Sequence, residues 1–594
     1  MSFHPNDIQR RSRAASIVIL GTFITLVSAF FRTQVQRNAE YALQSEQNRL
    51  REVPLPAPRG IIYDRKGQVI AENLPGYTVS LLAPTPDSLR AALRRLGGTI
   101  QLSPAEIETS VRRFRRAPNR PAVILADASF DVISVLEEHR VDFPGLIIQS
   151  TPKRYYPDRE AVSAFVGYTG EVTESELNSP KFKGYKAGQQ IGKGGLERQY
   201  EEQLRGREGM RFVEVDARGR VVREAGARAD LTAEGAAPLN TNIDVELQRV
   251  AYSIFGDTLQ GGVVAIDPRT GAVLAFHSHP GFDPNRFVGG IPADYWKALN
   301  SDPRRPLYNK ALQGRYPPGS TWKLATTVIG LETGQVKLTD HQPVPCTGGF
   351  QYGSRYFRCW EKRGHGSLDL AGAIQKSCDV YFYQLGLKIG ISRMLAGGVS
   401  LGFREKSGID LPNEVAPQFP YSTDYYNRRY GPRGWTNSVL LNLAIGQGEN
   451  TQTIVDMARF YTALATDGSA ARPMIVHRTP ERTKIISLAG DQLKGVQNAL
   501  ASVVAGGTGG GAAVKGVLVA GKTGTAQTGV FKNGKELYHA WFIGYAPADD
   551  PKIVVAIMLE FVPFHGSVSA HLASQIIGKY LGIVPIVLVE TEGD

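Results

Sequence analysis

The uncharged, mostly apolar run from Ala14 to Phe31 is 18 residues long, enough for about 27 Å of helix, and Arg10, Arg11 and Arg13 precede it. That pattern predicts one transmembrane anchor over residues 14–32. The bias of basic residues toward the cytoplasmic side keeps residues 1–13 inside and sends everything after Arg32 outside. A signal peptide cut after Val27-Ser28-Ala29 is the alternative. Apolar residues continuing through Phe30 and Phe31, and a helical texture to Leu50, favour the anchor.

Beyond the anchor the periodicity changes several times. Val53-Pro54-Leu55-Pro56-Ala57-Pro58 reads as a proline-rich break. Arg59 to Gly67 alternates apolar and polar residues and turns at Lys66-Gly67, as a hairpin does. Residues 85–140 carry mainly helical spacing, and a Gly/Lys-rich stretch at Ile191 to Gly195 leads into a helix at Leu196 to Tyr200. The polar stretch from Ala225 to Pro238 marks a domain boundary, which divides the exported part into residues 33–238 and 239–594. From Leu239 onward strands alternate with helices. Gly262 to Asp267 and Ala272 to Phe276 form a hairpin turned at Arg269-Thr270-Gly271. A helix starts at Ser320, a buried strand over Gly516 to Ala520 leads into Gly521-Lys522-Thr523-Gly524, and two further strands follow at Ala540 to Pro547 and Ile553 to Glu560. The fold class is α+β.

The chain has 594 residues, of which 42% are hydrophobic and 21% charged, a globular balance spread over several domains. The formal charge of +12 suits an anionic surface or partner, such as phospholipid headgroups or a lipid pyrophosphate. Nucleic acid would suit it too, but no nucleic-acid motif is present. The basic run from Arg112 to Arg120 is broken by Pro118 and reads as a solvated face.

Ser320-Thr321-Trp322-Lys323, directly after Tyr316-Pro317-Pro318-Gly319, puts a nucleophile and a base one helical turn apart at a helix start. Backbone N–H groups at such a start can hold a developing oxyanion. The same letters occur at Ser150 to Lys153, but Pro152 removes a backbone donor and keeps Thr151 out of a helix. Two later motifs supply what an acyl transfer also needs. Ser377-Cys378-Asp379 lies between two helical patterns, and Lys522-Thr523-Gly524-Thr525 lies at a strand, offering a cation, hydroxyls and a close backbone approach. Ser422-Thr423-Asp424 and Lys406-Ser407-Gly408 repeat those letters outside the right setting.

In this order and context the three motifs resemble those of the penicillin-binding, serine D,D-peptidase family. Arg59-Gly60 through Gly67, Gly192 to Glu197, Ile266-Asp267-Pro268 and Ala540 to Tyr545 look like family landmarks as well. The resemblance is to class B members: a transmembrane helix, an elongated α+β pedestal, then a transpeptidase domain with an antiparallel sheet covered by helices. It implies that Ser320 attacks the penultimate D-Ala carbonyl of a peptidoglycan stem peptide, with Lys323 as base. Ser377 would relay a proton, Asp379 would hold the network, Lys522 and Thr523 would receive the terminal carboxylate beside the close approach at Gly524, and the N–H groups of Ser320 and Thr525 would form the oxyanion hole. Stem peptides, β-lactams, the membrane and a SEDS-family (RodA-type) glycan polymerase with other elongation-complex proteins are the implied partners, with no cofactor for the chemistry. Asp379, where most of the family has Asn, points to rod elongation rather than septation. A β-lactam sensor and a scaffold that activates a polymerase are the competing functions.

Cys346, Cys359 and Cys378, the only cysteines, fall within 33 residues of one another with His365 among them. Three thiolates and an imidazole make a tetrahedral Zn²⁺ set, whereas a Cys346–Cys359 disulfide is the alternative in an oxidising compartment. Such a zinc would fix the loop that carries Ser377 and Asp379.

Overall fold

The computed structural model describes residues 5–38, 41, 50–116, 120–216, 221–223 and 229–583. Most of the helical stretch expected up to Leu50, the break at Pro118 and Ala225 to Arg228 of the expected boundary lie outside the described residues, as do the last residues of the chain. A helix over Pro5–Phe31 continues into a π-helical turn, Arg32–Gln36. Its apolar window has a mean hydropathy of 2.2, and none of it is buried against protein.

In the pedestal, Leu50–Leu55 pairs with Gly209–Val215, which pairs with Val221–Arg223. The expected proline-rich break is therefore strand as far as Leu55; every residue from Leu50 to Leu55 has a partner on one neighbouring strand, so Pro54 is accommodated at the edge of the sheet, where a missing donor is tolerated. The long strand Val69–Leu81 pairs with Ile62–Tyr63, Ala122–Leu125 and Leu146–Tyr155. Ser150 to Lys153 thus lie in a strand, where the serine and lysine cannot meet as they would on a helix. Helices Pro86–Ile100, Pro104–Arg116 and Phe130–Glu138 cover this sheet through Leu89, Leu93, Leu96, Val111, Phe114 and Leu136.

Two of the sequence landmarks meet in a buried charge cluster. Arg59 Nε lies 2.5 Å from Glu197 and its Nη2 2.6 Å from Glu201, while Arg154 Nε lies 2.7 Å from Glu197. Burial pushes the Glu197 carboxyl up, but Arg154 and Arg59 together hold it below the ordinary carboxylate range.

The following domain is built on a five-stranded antiparallel sheet: β1 (Gly261–Ile266), β2 (Val273–His279), β3 (Ala520–Lys532), β4 (Lys535–Ala546) and β5 (Ile553–Val562), in the order β2-β1-β5-β4-β3. Helices that matter for the site are α1 (Val245–Ser253), α2 (Lys323–Glu332), α3 (Leu370–Lys376), α4 (Asp379–Ile389), α5 (Ile454–Ala465) and α6 (Ser567–Leu581). Alternation along β4 builds both cores. Trp541, Ile543 and Tyr545 pack on the side of α2 and α5, and Ala540, Phe542 and Ala546 on the side of α1 and α6. With both faces covered, α2 is buried along nearly its whole length, Lys323 included.

Candidate functional site

Ser320 does not open an α-helix directly. Gly319–Trp322 is a single 3₁₀ turn, and α2 begins at Lys323. The change favours the expected pairing, because residues i and i+3 eclipse at three residues per turn. Gly319 has φ +53°, and a Cβ there would stand 2.8 Å from the Thr525 carbonyl oxygen and 3.2 Å from its nitrogen. Only glycine lets the Ser320 turn lie this close on β3.

The Lys323 amine is wholly buried, and its three hydrogen bonds go to the second motif: 2.7 Å to the Ser377 carbonyl oxygen, 3.2 Å to Ser377 Oγ and 2.7 Å to Asp379 Oδ1. Ser377 follows α3 in the left-handed region at φ +54°, which turns its carbonyl and hydroxyl together toward that amine. Asp379 is the first residue of α4, where the helix N-terminus favours a carboxylate.

The third motif sits inside a strand, not after one. Gly516 to Val519 are not part of β3, which begins at Ala520 and carries Lys522 to Thr525 in register with Ile543, Phe542, Trp541 and Ala540 of β4. Polar residues occupy the strand because β3 is the sheet edge next to the Ser320 turn. At Gly524 a Cβ would meet the Pro318 carbonyl oxygen at 2.8 Å. Burial, and after it repulsion from Lys323, hold the Lys522 amine well below a lysine's ordinary value, with Asp379 opposing. Thr523 Oγ1 donates to Thr508 Oγ1 at 2.9 Å, and Thr525 Oγ1 accepts from the Gly566 N–H at 3.3 Å.

The decoys stay apart from this centre. Ser422 precedes the helix Thr423–Tyr430, and Ser407 is bound to Glu414.

Cys346, Cys359, His365 and Cys378 converge behind the second motif, with all four potential ligand atoms within 4.8 Å of one another. None of the cysteines is in a disulfide. His365 Nδ1 is 3.7 Å from Cys346 Sγ and 3.6 Å from Cys359 Sγ, close to the roughly 3.5 Å edge between nitrogen and sulfur ligands on a tetrahedral zinc. The donor set therefore fits such an ion. Two participants escaped the sequence reading. Trp360 bonds both Ser377 and Asp379, and its only signal was its place beside Cys359. Thr508 lies in Gly506-Gly507-Thr508-Gly509-Gly510-Gly511, a glycine run that could have drawn attention.

Residues 261–578 match the penicillin-binding protein transpeptidase domain. The chain belongs to the penicillin-binding protein family. Residues 54–234 match the penicillin-binding protein dimerisation domain, so this is a penicillin-binding protein with both parts. Among relatives, the peptidoglycan D,D-transpeptidase MrdA of Acinetobacter baumannii is 32% identical over 98% of this chain and 89% of its own length. A solved complex between penicillin-binding protein 2 and MreC from Helicobacter pylori aligns at TM-score 0.77 with 27% identity, covering 90% of this chain and 99% of that one. A solved peptidoglycan synthase complex aligns at TM-score 0.70 and 29% identity, over 98% of this chain and 100% of that one.

Proposed function

We infer that this penicillin-binding protein is a peptidoglycan D,D-transpeptidase of wall elongation, working through a Ser320 acyl-enzyme and inhibited by β-lactams. The observation that carries the reading is the Lys323 amine, which joins the nucleophile turn to Ser377 and Asp379 beside Lys522. Lys323 takes the proton of the Ser320 hydroxyl as Oγ attacks the penultimate D-Ala carbonyl. The proton passes through Ser377 Oγ to the leaving D-Ala amine as the peptide bond breaks. An amine of a neighbouring stem then attacks the ester carbon, loses its proton by the reverse route and restores Ser320. Lys522 and Thr523 receive the substrate carboxylate, Gly524 gives the close approach, and the N–H groups of Ser320 and Thr525 face the oxyanion.

The N-terminal helix anchors the protein once in the cytoplasmic membrane, with both later domains outside. A SEDS-type polymerase is the partner we propose in that membrane, supported by the likeness to a synthase complex. Cys346, Cys359, His365 and Cys378 hold a structural zinc that stiffens the loop around Ser377; four protein ligands leave no open position for chemistry. Ser320→Ala, assayed with the polymerase partner, is expected to lose cross-linking and keep polymerisation; unchanged cross-linking contradicts the assignment. Metal analysis is expected to find one zinc in the parent and none in Cys359→Ser, and a metal-free parent contradicts the zinc.

A further inference from the structure

Trp360 is 54% exposed, yet both of its N–H groups are committed to the second motif. Its backbone N–H donates to Asp379 Oδ2 at 3.1 Å, and its indole N–H donates to the carbonyl oxygens of Ser377 at 3.1 Å and Lys376 at 3.2 Å. The Asp379 carboxylate and the Ser377 carbonyl are also acceptors for Lys323. Two residues of the motif are thus each held between Lys323 and Trp360. Ser377 is the one that needs holding: at φ +54° it occupies a region that side-chain-bearing residues avoid, and the direction of its carbonyl is fixed by those donors.

Trp360 is itself placed from behind. It follows Cys359 at the end of the hairpin Gly349–Tyr352/Arg355–Arg358, whose last carbonyl accepts from the Tyr383 hydroxyl of α4 at 3.0 Å. Its ring lies 5.2 Å from that of His365. Simple packing accounts poorly for a tryptophan with more than half its surface in water.

We propose that Trp360 is a positioning residue for the acyl transfer: its indole N–H holds the Ser377 peptide in the left-handed turn and so keeps Ser377 Oγ within reach of the Lys323 amine. This rests on the catalytic reading given under Proposed function. The cysteine–histidine cluster then acts on the second motif through Trp360 as well as through Cys378.

The test uses the full-length protein and a fluorescent penicillin, with saturation kinetics separating the pre-covalent dissociation constant from the acylation rate. Trp360→Phe keeps a ring and removes the donor. It is expected to slow acylation roughly three- to tenfold, with the dissociation constant and Tm unchanged. In a Ser377→Ala background the same substitution is expected to cost less than about twofold, because the two act through one group. An acylation rate equal to the parent's overturns the proposal. So does an equal fold-loss in both backgrounds, which is also how a merely misfolded variant would behave. Labelling that persists in Ser320→Ala contradicts the acyl-enzyme reading itself, whereas its loss there together with unaltered Trp360→Phe kinetics contradicts the role of Trp360 alone.

Discussion

Arg59, Arg154, Glu197 and Glu201 in the pedestal and Lys323, Lys522 and Asp379 in the transpeptidase domain are both charge clusters taken out of water, yet only the first is balanced. Two guanidinium groups face two carboxylates in the pedestal, and the opposite charges keep Glu197 ionised despite its burial. At the other centre two amines share one carboxylate, and Lys522 is driven well below a lysine's ordinary value. A cluster balanced in charge serves as a fastener between distant segments. Two amines and one carboxylate leave room for a second anion, and a substrate carboxylate bound there as proposed would favour the protonated Lys522.

The largest effect expected falls on the unbalanced cluster. Lys323→Met should slow penicillin acylation roughly 10²- to 10⁴-fold in stopped-flow labelling, and a rate near the parent's would remove Lys323 from the proton path. Next is the fastener. Arg59→Met leaves Glu197 short of a partner and should lower unfolding free energy by about 3–5 kcal/mol in denaturant melts. The sign with pH follows from the lowered Glu197 value: the pair's stabilisation is present above the ordinary carboxylate range and is lost as pH falls through the lowered one. The gap between Arg59→Met and the parent should therefore be widest near neutrality and narrow in acid; a gap that widens in acid would break the comparison.

Smallest is Lys522→Met, expected to weaken the pre-covalent complex with a carboxylate-bearing β-lactam roughly ten- to hundredfold. Because the Lys522 value is lower in the folded chain than in the unfolded one, the native state releases its proton first. Stability should then rise as pH climbs from the lowered value toward the ordinary lysine range. Lys522→Met should lose that rise in thermal melts across alkaline pH; an identical slope in the two proteins would show that Lys522 is not the group responsible.

The two clusters were not equally legible in the sequence. Ser320, Lys323, Ser377, Asp379 and Lys522 could be named because their chemistry is written in short spacings, and Pro152 was enough to reject Ser150. The cysteines announced themselves by crowding around His365. The pedestal fastener was visible only as two separate landmarks, since its ion pair joins residues 138 positions apart and no local period encodes that. Lys522 to Thr525 were legible as lying at a strand but not as part of its ladder, because a strand read from apolar alternation ends where polar residues begin, whereas here the pairing continues through them. Trp360 escaped for a related reason: its contribution is two N–H groups, which no sequence pattern distinguishes.

If the unbalanced cluster serves Ser320, that hydroxyl is the group a penicillin acylates. Labelling the full-length protein with a penicillin and mapping the adduct by peptide mass spectrometry tests it most directly. A single adduct on Ser320, absent from Ser320→Ala and carried by a folded protein, is the predicted result; an adduct on any other residue, or one that survives Ser320→Ala, would contradict it.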